Sequence, residues 1–549
     1  MLSETARTIQ IPLDAIFLLL CVRFQVAAIL SAQSDFAPAL LLVIGGLLLG
    51  FCDSYVGLNA FTLVVPLLNG LGQSSLLGCD SPPSLVFSAL CTGIASRSLT
   101  NATLSFRSTA PSDRLSKGGQ YQDTSTPHAE PLMQARSIFA RTPITAPFTA
   151  GISFSSVSIG ILIFAVTVSL IAQTIGNGFP HEFWSAFINR AAFGYGDRWY
   201  YITSAYIWLQ GFYYFKYLLA FSTGPNVMDT DRSIGKIAFP KFLLFFLFSY
   251  VATMLFFVFI QFKYHLPESW IWTGAGFQSP YEDISSFGSI AVILFILTVT
   301  ILPRCSVFIL LFYIIGALSG LFLVIASWSR AAWLACFVFS FFAVLLRISR
   351  YWALALLCLG FISAIVLNVT IKNPPWMSQP YLARLLTLVR IEDPSKKSIE
   401  RINLYKKAIR MIERRPYYGF GIGSFYLTSV KFAERNDPQA SWPDFAHDVF
   451  LQIAAEEGIP VAILFAGFCT WVLATGLKFW FRARSIESSS PNYTLLLLGV
   501  TLAIGAYLQT QLTANSLNVY SSNQFVFWFL VAAVLILSRE DACERTLSR

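Results

Sequence analysis

The chain uses histidine only four times, and one of the four, His447, stands in "WPDFAHDVFLQIAAEEGIP" (442–460), directly before a long apolar segment. From His447 onward, Phe450, Leu451, Ile453 and Ala454 recur at helical spacing, and Gly458 with Pro460 separates this helix from the apolar run that follows. The spacing predicts His447 in the first turn of an amphipathic helix, near free backbone N–H groups. That setting lowers an imidazole's proton affinity and favours its neutral form, the one that can accept a proton. On the residues alone, a helix-capping histidine at a membrane surface is the plainer alternative.

The residues before this stretch are strongly basic. From Lys372 to Asp444 there are roughly thirteen Lys and Arg against about seven Asp and Glu, an excess that asks for an anionic partner, either lipid headgroups or a phosphorylated substrate. Within it, "RINLYKKAIRMIERRP" spaces Ile402, Tyr405, Ile409 and Ile412 along one helical face, with Arg401, Lys406, Lys407, Arg410, Arg414 and Arg415 around the rest. Such a basic amphipathic helix can lie on a bilayer surface. Pro416 ends it, and "YYGFGIGSF" offers Gly419, Gly421 and Gly423 for a tight backbone path. The GxxxxGK[ST] spacing of a phosphate loop is absent. A second short helix is expected near Phe425 to Arg435, before the turn-forming "NDPQASWP".

The elements that must hold these residues are membrane helices. The chain of 549 residues is 55% hydrophobic, 15% aromatic and only 12% charged, beyond what a soluble core of this size uses. Apolar windows long enough to cross hydrocarbon recur from end to end, roughly fourteen in all. They lie near 11–33, 36–52, 55–72, 84–96, 151–173, 198–221, 239–261, 284–302, 305–326, 329–347, 351–371, 458–481, 493–512 and 522–538, the fourth being short. The first holds Asp14 and Arg23 and shows no small-residue cleavage site, so it reads as retained rather than as a removed signal peptide.

Arg347 and Arg350, then Lys478, Arg482 and Arg484, then Arg232, Lys236 and Lys241 mark turns on the cytoplasmic face. Both termini fall on that face, as does the Ser/Thr-dense stretch 97–149, read as a disordered loop. The large basic loop falls outside. No internal repeat is visible, and charge is concentrated in that one loop, both of which weigh against a polysaccharide or lipid transporter.

Nine cysteines sit singly with no CxxC pair, which indicates neither a disulfide framework nor a zinc site. His181 and His265 share the outer face with His447 but lack ligand spacing, and His128 belongs to the cytoplasmic loop. Glu282 and Asp283 open a span and read as helix caps.

Two separated pieces carry a family resemblance. "ASWSRAAWLACFV" (326–338) is similar to the Ser-Arg signature of the O-antigen ligase and O-antigen polymerase superfamily of bacterial envelope glycosyltransferases. "RINLYKKAIRMIERRPYYGFGIGSF" followed by "AHDVFLQIAAEEGIP" resembles that family's outer loop: an arginine-led helix, a Pro-x-x-Gly-x-Gly turn, and a His-Asn helix ending in Glu-x-Gly. The chain departs from the pattern at Asp448, which stands where the family has Asn. An aspartate there can orient or charge-stabilise the imidazole, or cap the helix.

The resemblance implies an all-α polytopic membrane protein of about 12–14 transmembrane helices with a large helical extracytoplasmic loop. The units would be 1–96, N-terminal helices; 97–149, the cytoplasmic loop; 150–371, central helices with the Ser-Arg motif; 372–457, a periplasmic catalytic loop; 458–538, C-terminal helices; and 539–549, a cytoplasmic tail. It implies transfer of a glycan from a polyprenyl diphosphate carrier to an acceptor hydroxyl, a glycan or a lipid A-core, at the periplasmic face of a bacterial inner membrane. The reaction would be inverting, without metal or other cofactor, and the partners would be donor, acceptor and bilayer, with no nucleic acid.

Carried onto this sequence, His447 and Asp448 would be catalytic and Arg330 and Arg401 would bind the diphosphate. Ser329, Arg410, Arg414 and Arg415 are candidate substrate contacts, although a headgroup-facing surface is the plainer reading of the three arginines. Ligation of a finished polysaccharide and polymerisation of repeat units remain alternatives.

Overall fold

The computed structural model describes residues 36–52, 82–109, 200–223, 284–301, 307–327, 329–347, 396–434, 444–484, 491–514 and 521–547, with parts of 17–25, 57–65, 243–255 and 351–362, and Leu517. His128, His181, His265, Glu282, Asp283, the span at 151–173 and the loop residues 110–149 and 372–395 lie outside the described residues. Every described element is helical. They are α1 (Phe36–Cys52), α2 (Pro82–Thr109), α3 (Tyr200–Thr223), α4 (Ile284–Ile301), α5 (Val307–Ala326), α6 (Arg330–Arg347), α7 (Lys396–Arg414), α8 (Phe425–Thr428), α9 (Val449–Glu457), α10 (Ile459–Arg484), α11 (Pro491–Gln511) and α12 (Ser521–Leu547). A 3-10 turn, Ser429–Phe432, follows α8.

Among the described residues, Arg330–Arg347, Ile459–Arg484 and Thr494–Gln511 are long and apolar enough to cross a membrane. Other apolar helices, such as Phe287–Ile301 and Asn523–Ser538, are shorter over those residues. Packing explains their composition. Helix α4 is apolar on all sides (Phe287, Ile290, Ile293, Leu294, Leu297) and is buried between α5, α6 and α11. Helices α5, α6 and α10 instead keep one exposed apolar face each, with Leu318 and Phe322, Leu334 and Phe337, and Ile463 and Leu464. Aligned exposed faces of this kind suit hydrocarbon rather than water.

Helices α1 and α2 meet through small residues. A Cβ on Gly50 would stand 2.2 Å from the Leu90 carbonyl oxygen, and one on Gly93 would stand 2.3 Å from that of Leu47. The two backbones therefore approach as closely as glycine permits, a packing that membrane helices favour. At three helix ends, arginines satisfy terminal carbonyls. Arg97 donates to Cys52 O (2.7 Å), Arg347 to Val299 O (2.6 Å) and Arg484 to Leu346 O (3.0 Å).

Three expectations change. The stretch 97–149 is not disordered from its start: α2 continues to Thr109, because nothing after Gly93 breaks a helix until Pro111. Helix α12 likewise continues to Leu547, through most of the expected tail. Charge is also not confined to the large basic loop, since Lys216 of α3 is buried with its ammonium 5.0 Å from the centre of the Tyr213 ring.

Candidate functional site

The Ser-Arg stretch is the tight corner between α5 and α6. The Ser327 hydroxyl donates to Val324 O (2.7 Å) and accepts from the Ser329 N–H (3.2 Å), while the Trp333 indole N–H returns to Val324 O (2.9 Å). Ser329 is buried and its Oγ accepts from the Ala332 N–H (3.4 Å), the position of a helix N-cap. Its hydroxyl is thus occupied in building the corner. Arg330, the first residue of α6, is left half-buried at the end of the helix. The corner is held in place by Gly288 of α4, where a Cβ would meet Ser329 Cβ at 2.8 Å and Ala332 Cβ at 2.9 Å.

The basic segment between α6 and α10 has its own small core: Ala408 and Met411 of α7, Phe425 of α8, Ala446, and Ala455 of α9. The buried stripe of α7 therefore runs through Leu404, Ala408 and Met411 and takes Lys407 with it, whereas Ile402 and Ile409, expected on the apolar face, are 50% and 46% exposed. Small Ala408 and Ala455 let α7 and α9 approach, which outweighs the larger isoleucines on the other side.

The glycine turn folds over the C-terminal end of α9. Gly419, Gly421 and Gly423 all have positive φ, and a Cβ on Gly419 would lie 2.2 Å from Glu456 O. The Phe420 N–H donates to Ala455 O (3.1 Å) and the Ile459 N–H to Pro416 O (2.8 Å). Inside the fold, the buried Glu456 carboxylate accepts from the Gly423 N–H (2.8 Å), the Phe425 N–H (3.0 Å) and Gln452 Nε2 (2.9 Å). Gln452 Oε1 in turn accepts from the Ala446 N–H (3.2 Å), directly beside His447. Two buried side chains, Glu456 and Gln452, thus join the glycine turn to the histidine segment, a role the terminal Glu-x-Gly of the motif did not disclose.

Burial pushes the Glu456 carboxyl up to about 7, against its three hydrogen bonds, and burial together with the charge of Glu456 pushes Glu457 up to about 8. Both values lie above an ordinary carboxyl near 4.5, so the folded loop is favoured while these groups are protonated. It loses that advantage as the pH rises through them. Glu457→Gln should therefore raise the thermal midpoint of the detergent-solubilised protein at pH 8.5 and leave it nearly unchanged at pH 4.5. A lowered midpoint at pH 8.5 would contradict this account.

His447 is not in the first turn of α9. The helix starts at Val449, Asp448 is its N-cap with Oδ1 accepting from the Leu451 N–H (2.9 Å), and His447 precedes both. Asp448 therefore performs the capping alternative, a task Asn and Asp share, rather than orienting the ring. Among the described residues His447 is the non-glycine with positive φ, at 54°. A left-handed histidine is uncommon and persists only where its surroundings fix it, as the Ala446–Gln452 bond and the Asp448 cap do on either side. Its imidazole is partly exposed, and its Nε2 faces Asp444 Oδ2 at 3.4 Å.

These parts converge. Arg401 of α7 acts electrostatically on Arg330 of α6, so the two guanidiniums share one field although they belong to different segments. Tyr405, one turn along from Arg401, feels both Arg401 and Asp448; burial raises its hydroxyl above the ordinary phenol value, with Arg401 opposing and Asp448 adding. Burial would raise the Asp444 carboxyl, but the hydrogen bond and charge of His447, the Phe445 N–H and Lys407 together hold it below the ordinary carboxylate value. Burial raises Asp448, against the N–H groups of Leu451 and Phe450.

The remaining cations separate. Arg410 is tied to Phe432 O (2.9 Å) and Glu434, which Lys406 also meets at 3.6 Å, so it anchors α7 to the 3-10 turn. Arg415 lies over the Phe420 ring (4.6 Å), and Arg414 is exposed. Lys407, Tyr405, Asp444 and Glu456 are the site-lining groups that the motif stretches alone did not single out. For Lys407 the usable signal was its i−3 and i+4 spacing to Leu404 and Met411.

Apolar helices of membrane-crossing length, joined by a basic helical segment that carries Arg401 and His447, are the marks of a helical membrane protein. Residues 314–466, from within α5 through α6 and the basic segment into α10, match the family described as O-antigen ligase. The resemblance drawn from the two motif stretches is thereby supported over this segment, together with a function of the O-antigen ligase and polymerase type. No curated protein matches the chain.

Proposed function

We propose that the protein is a ligase-type glycosyltransferase that moves a glycan from a polyprenyl diphosphate carrier to an acceptor hydroxyl at the periplasmic face of the inner membrane. The observation behind this reading is that Arg401 stands on α7, which packs against α9 next to the His447 segment, and that it acts electrostatically on Arg330. Two like charges in one field suit a dianionic ligand, and guanidinium forks match phosphate oxygens. The acceptor oxygen attacks the anomeric carbon with inversion, and its proton passes to His447. The bond from that carbon to the diphosphate breaks, and the departing negative charge is met by Arg330 and Arg401. The reaction needs no metal on this reading, since the fixed cations take its place.

The exposed apolar faces of α5, α6 and α10 support a site reached sideways from lipid, as a polyprenyl tail requires. The glycan profile of a strain lacking the gene tests the proposal. Loss of a ligase leaves full-length polymer on the carrier lipid and bare acceptor at the surface. Acceptors bearing a single repeat unit, with ligation intact, would make the protein a polymerase, and an unchanged profile would end the enzyme reading.

A further inference from the structure

We propose that Asp444 is the positioning residue of this site: it accepts the Nε2–H of His447, fixes that tautomer, and leaves Nδ1 as the atom that takes the acceptor proton. The inference rests on the reading of His447 as the base, and goes beyond it by assigning the tautomer and its partner. The geometry is local and overdetermined. Asp444 stands three residues before His447, its Oδ2 faces Nε2 at 3.4 Å, and its Oδ1 accepts from the Phe445 N–H at 2.7 Å, which aims the carboxylate. Asp448, the neighbour expected to serve the ring, is committed to the α9 cap.

Beneath them lies Lys407, 1% exposed in the α7 stripe and acting on Asp444. Its charge adds to the His447 hydrogen bond and the Phe445 N–H in favouring the ionised Asp444 carboxylate, the form that accepts. Among the other titratable groups on these elements are Arg401 and Tyr405 of α7, Asp448, Glu456 and Glu457 next to and within α9, and Arg330 of α6. None of them has a hydrogen bond to the imidazole, whereas Asp444 does. As the acceptor oxygen attacks, its proton goes to Nδ1 and the ring becomes an imidazolium, whose positive charge Asp444 balances. With its left-handed backbone, His447 sets Nε2 3.4 Å from Asp444 Oδ2.

The test uses the full-length protein in detergent or nanodiscs with a polyprenyl diphosphate glycan donor and its acceptor. Asp444→Asn should lower kcat on the order of 10- to 100-fold, less than the roughly 10⁴-fold loss for a fully buried triad aspartate, because this carboxylate is partly exposed. KM for the donor should stay unchanged. The acidic limb of the pH–rate profile should move to lower pH, because withdrawing the carboxylate disfavours the imidazolium. Asp444→Glu should recover part of kcat. In the double variant with His447→Ala, Asp444→Asn should add no further loss, since it acts through a ring no longer present.

Wild-type kcat in Asp444→Asn, with His447→Ala inactive, would overturn this inference and leave the base assignment standing. Near-normal activity in His447→Ala would remove the assignment itself. A loss in Asp444→Asn that raises KM, leaves the pH limb in place and adds to that of His447→Ala would make Asp444 merely structural. If Asp444→Asn does not fold, Asp444→Glu decides by the same limb and the same double variant.

Discussion

Replacing His447 should lower glycan transfer by about 10²- to 10⁴-fold while leaving membrane insertion and the thermal midpoint close to those of the parent, because a general base contributes in that range. The choice of replacement matters. His447 holds φ at 54°, a conformation that alanine tolerates poorly, so His447→Ala removes the ring and also disturbs the backbone. Asparagine is among the residues that accept the left-handed region most readily, and it lacks a basic nitrogen. His447→Asn should therefore be as inactive as His447→Ala and at least as stable. Activity retained by the asparagine variant but lost by the alanine variant would mean that the backbone, not the imidazole, is what matters at this position.

What the sequence discloses here follows from how strongly physics constrains each feature. Helices α5, α6, α10 and α11 begin and end within a few residues of the apolar windows at 305–326, 329–347, 458–481 and 493–512, because the hydrocarbon thickness sets both the length and the composition of a crossing helix. The glycine turn was equally legible, since its positive φ values exclude most side chains. The buried side of α7 was not. Ile402, Tyr405, Ile409 and Ile412 form one stripe and Leu404, Ala408 and Met411 another, at the same helical spacing, and the partner α9 chooses between them by closeness of approach.

The histidine segment marks another boundary of that kind. Whether Asp448 caps α9 or faces His447 depends on a single residue's displacement of the helix start, which periodicity does not resolve. The Asp444–His447 contact depends on a left-handed backbone that no residue type at 447 announces. Glu456 shows the same limit from inside. Its place in the motif is visible, but its bonds to Gly423 and Phe425 exist only once the glycine turn has closed over α9.

Arg330→Lys should fail nearly as completely as Arg330→Met, with losses of about 10²- to 10³-fold, the range seen when one preorganised transition-state donor is removed. A lysine keeps the charge but loses the planar fork that meets two phosphate oxygens at once, and its ammonium is a more strongly hydrated point charge. The corner that carries Arg330 is built by Ser327, Ser329, Trp333 and the close approach at Gly288, none of which uses the guanidinium. Neither substitution should therefore disturb the fold. Arg330 and Arg401 also repel one another without a bound anion, so Arg330→Met should match or exceed the parent's thermal midpoint in detergent even as transfer is lost. Stability gained where activity is lost is the mark of a residue held in place for its ligand. Adding a soluble diphosphate should narrow that difference by raising the parent's midpoint more than the variant's, since the ligand stabilises only the protein that binds it. Full transfer activity in Arg330→Lys would show that charge alone suffices there, and a midpoint that falls sharply in both variants would make Arg330 a structural cation of the α5–α6 corner.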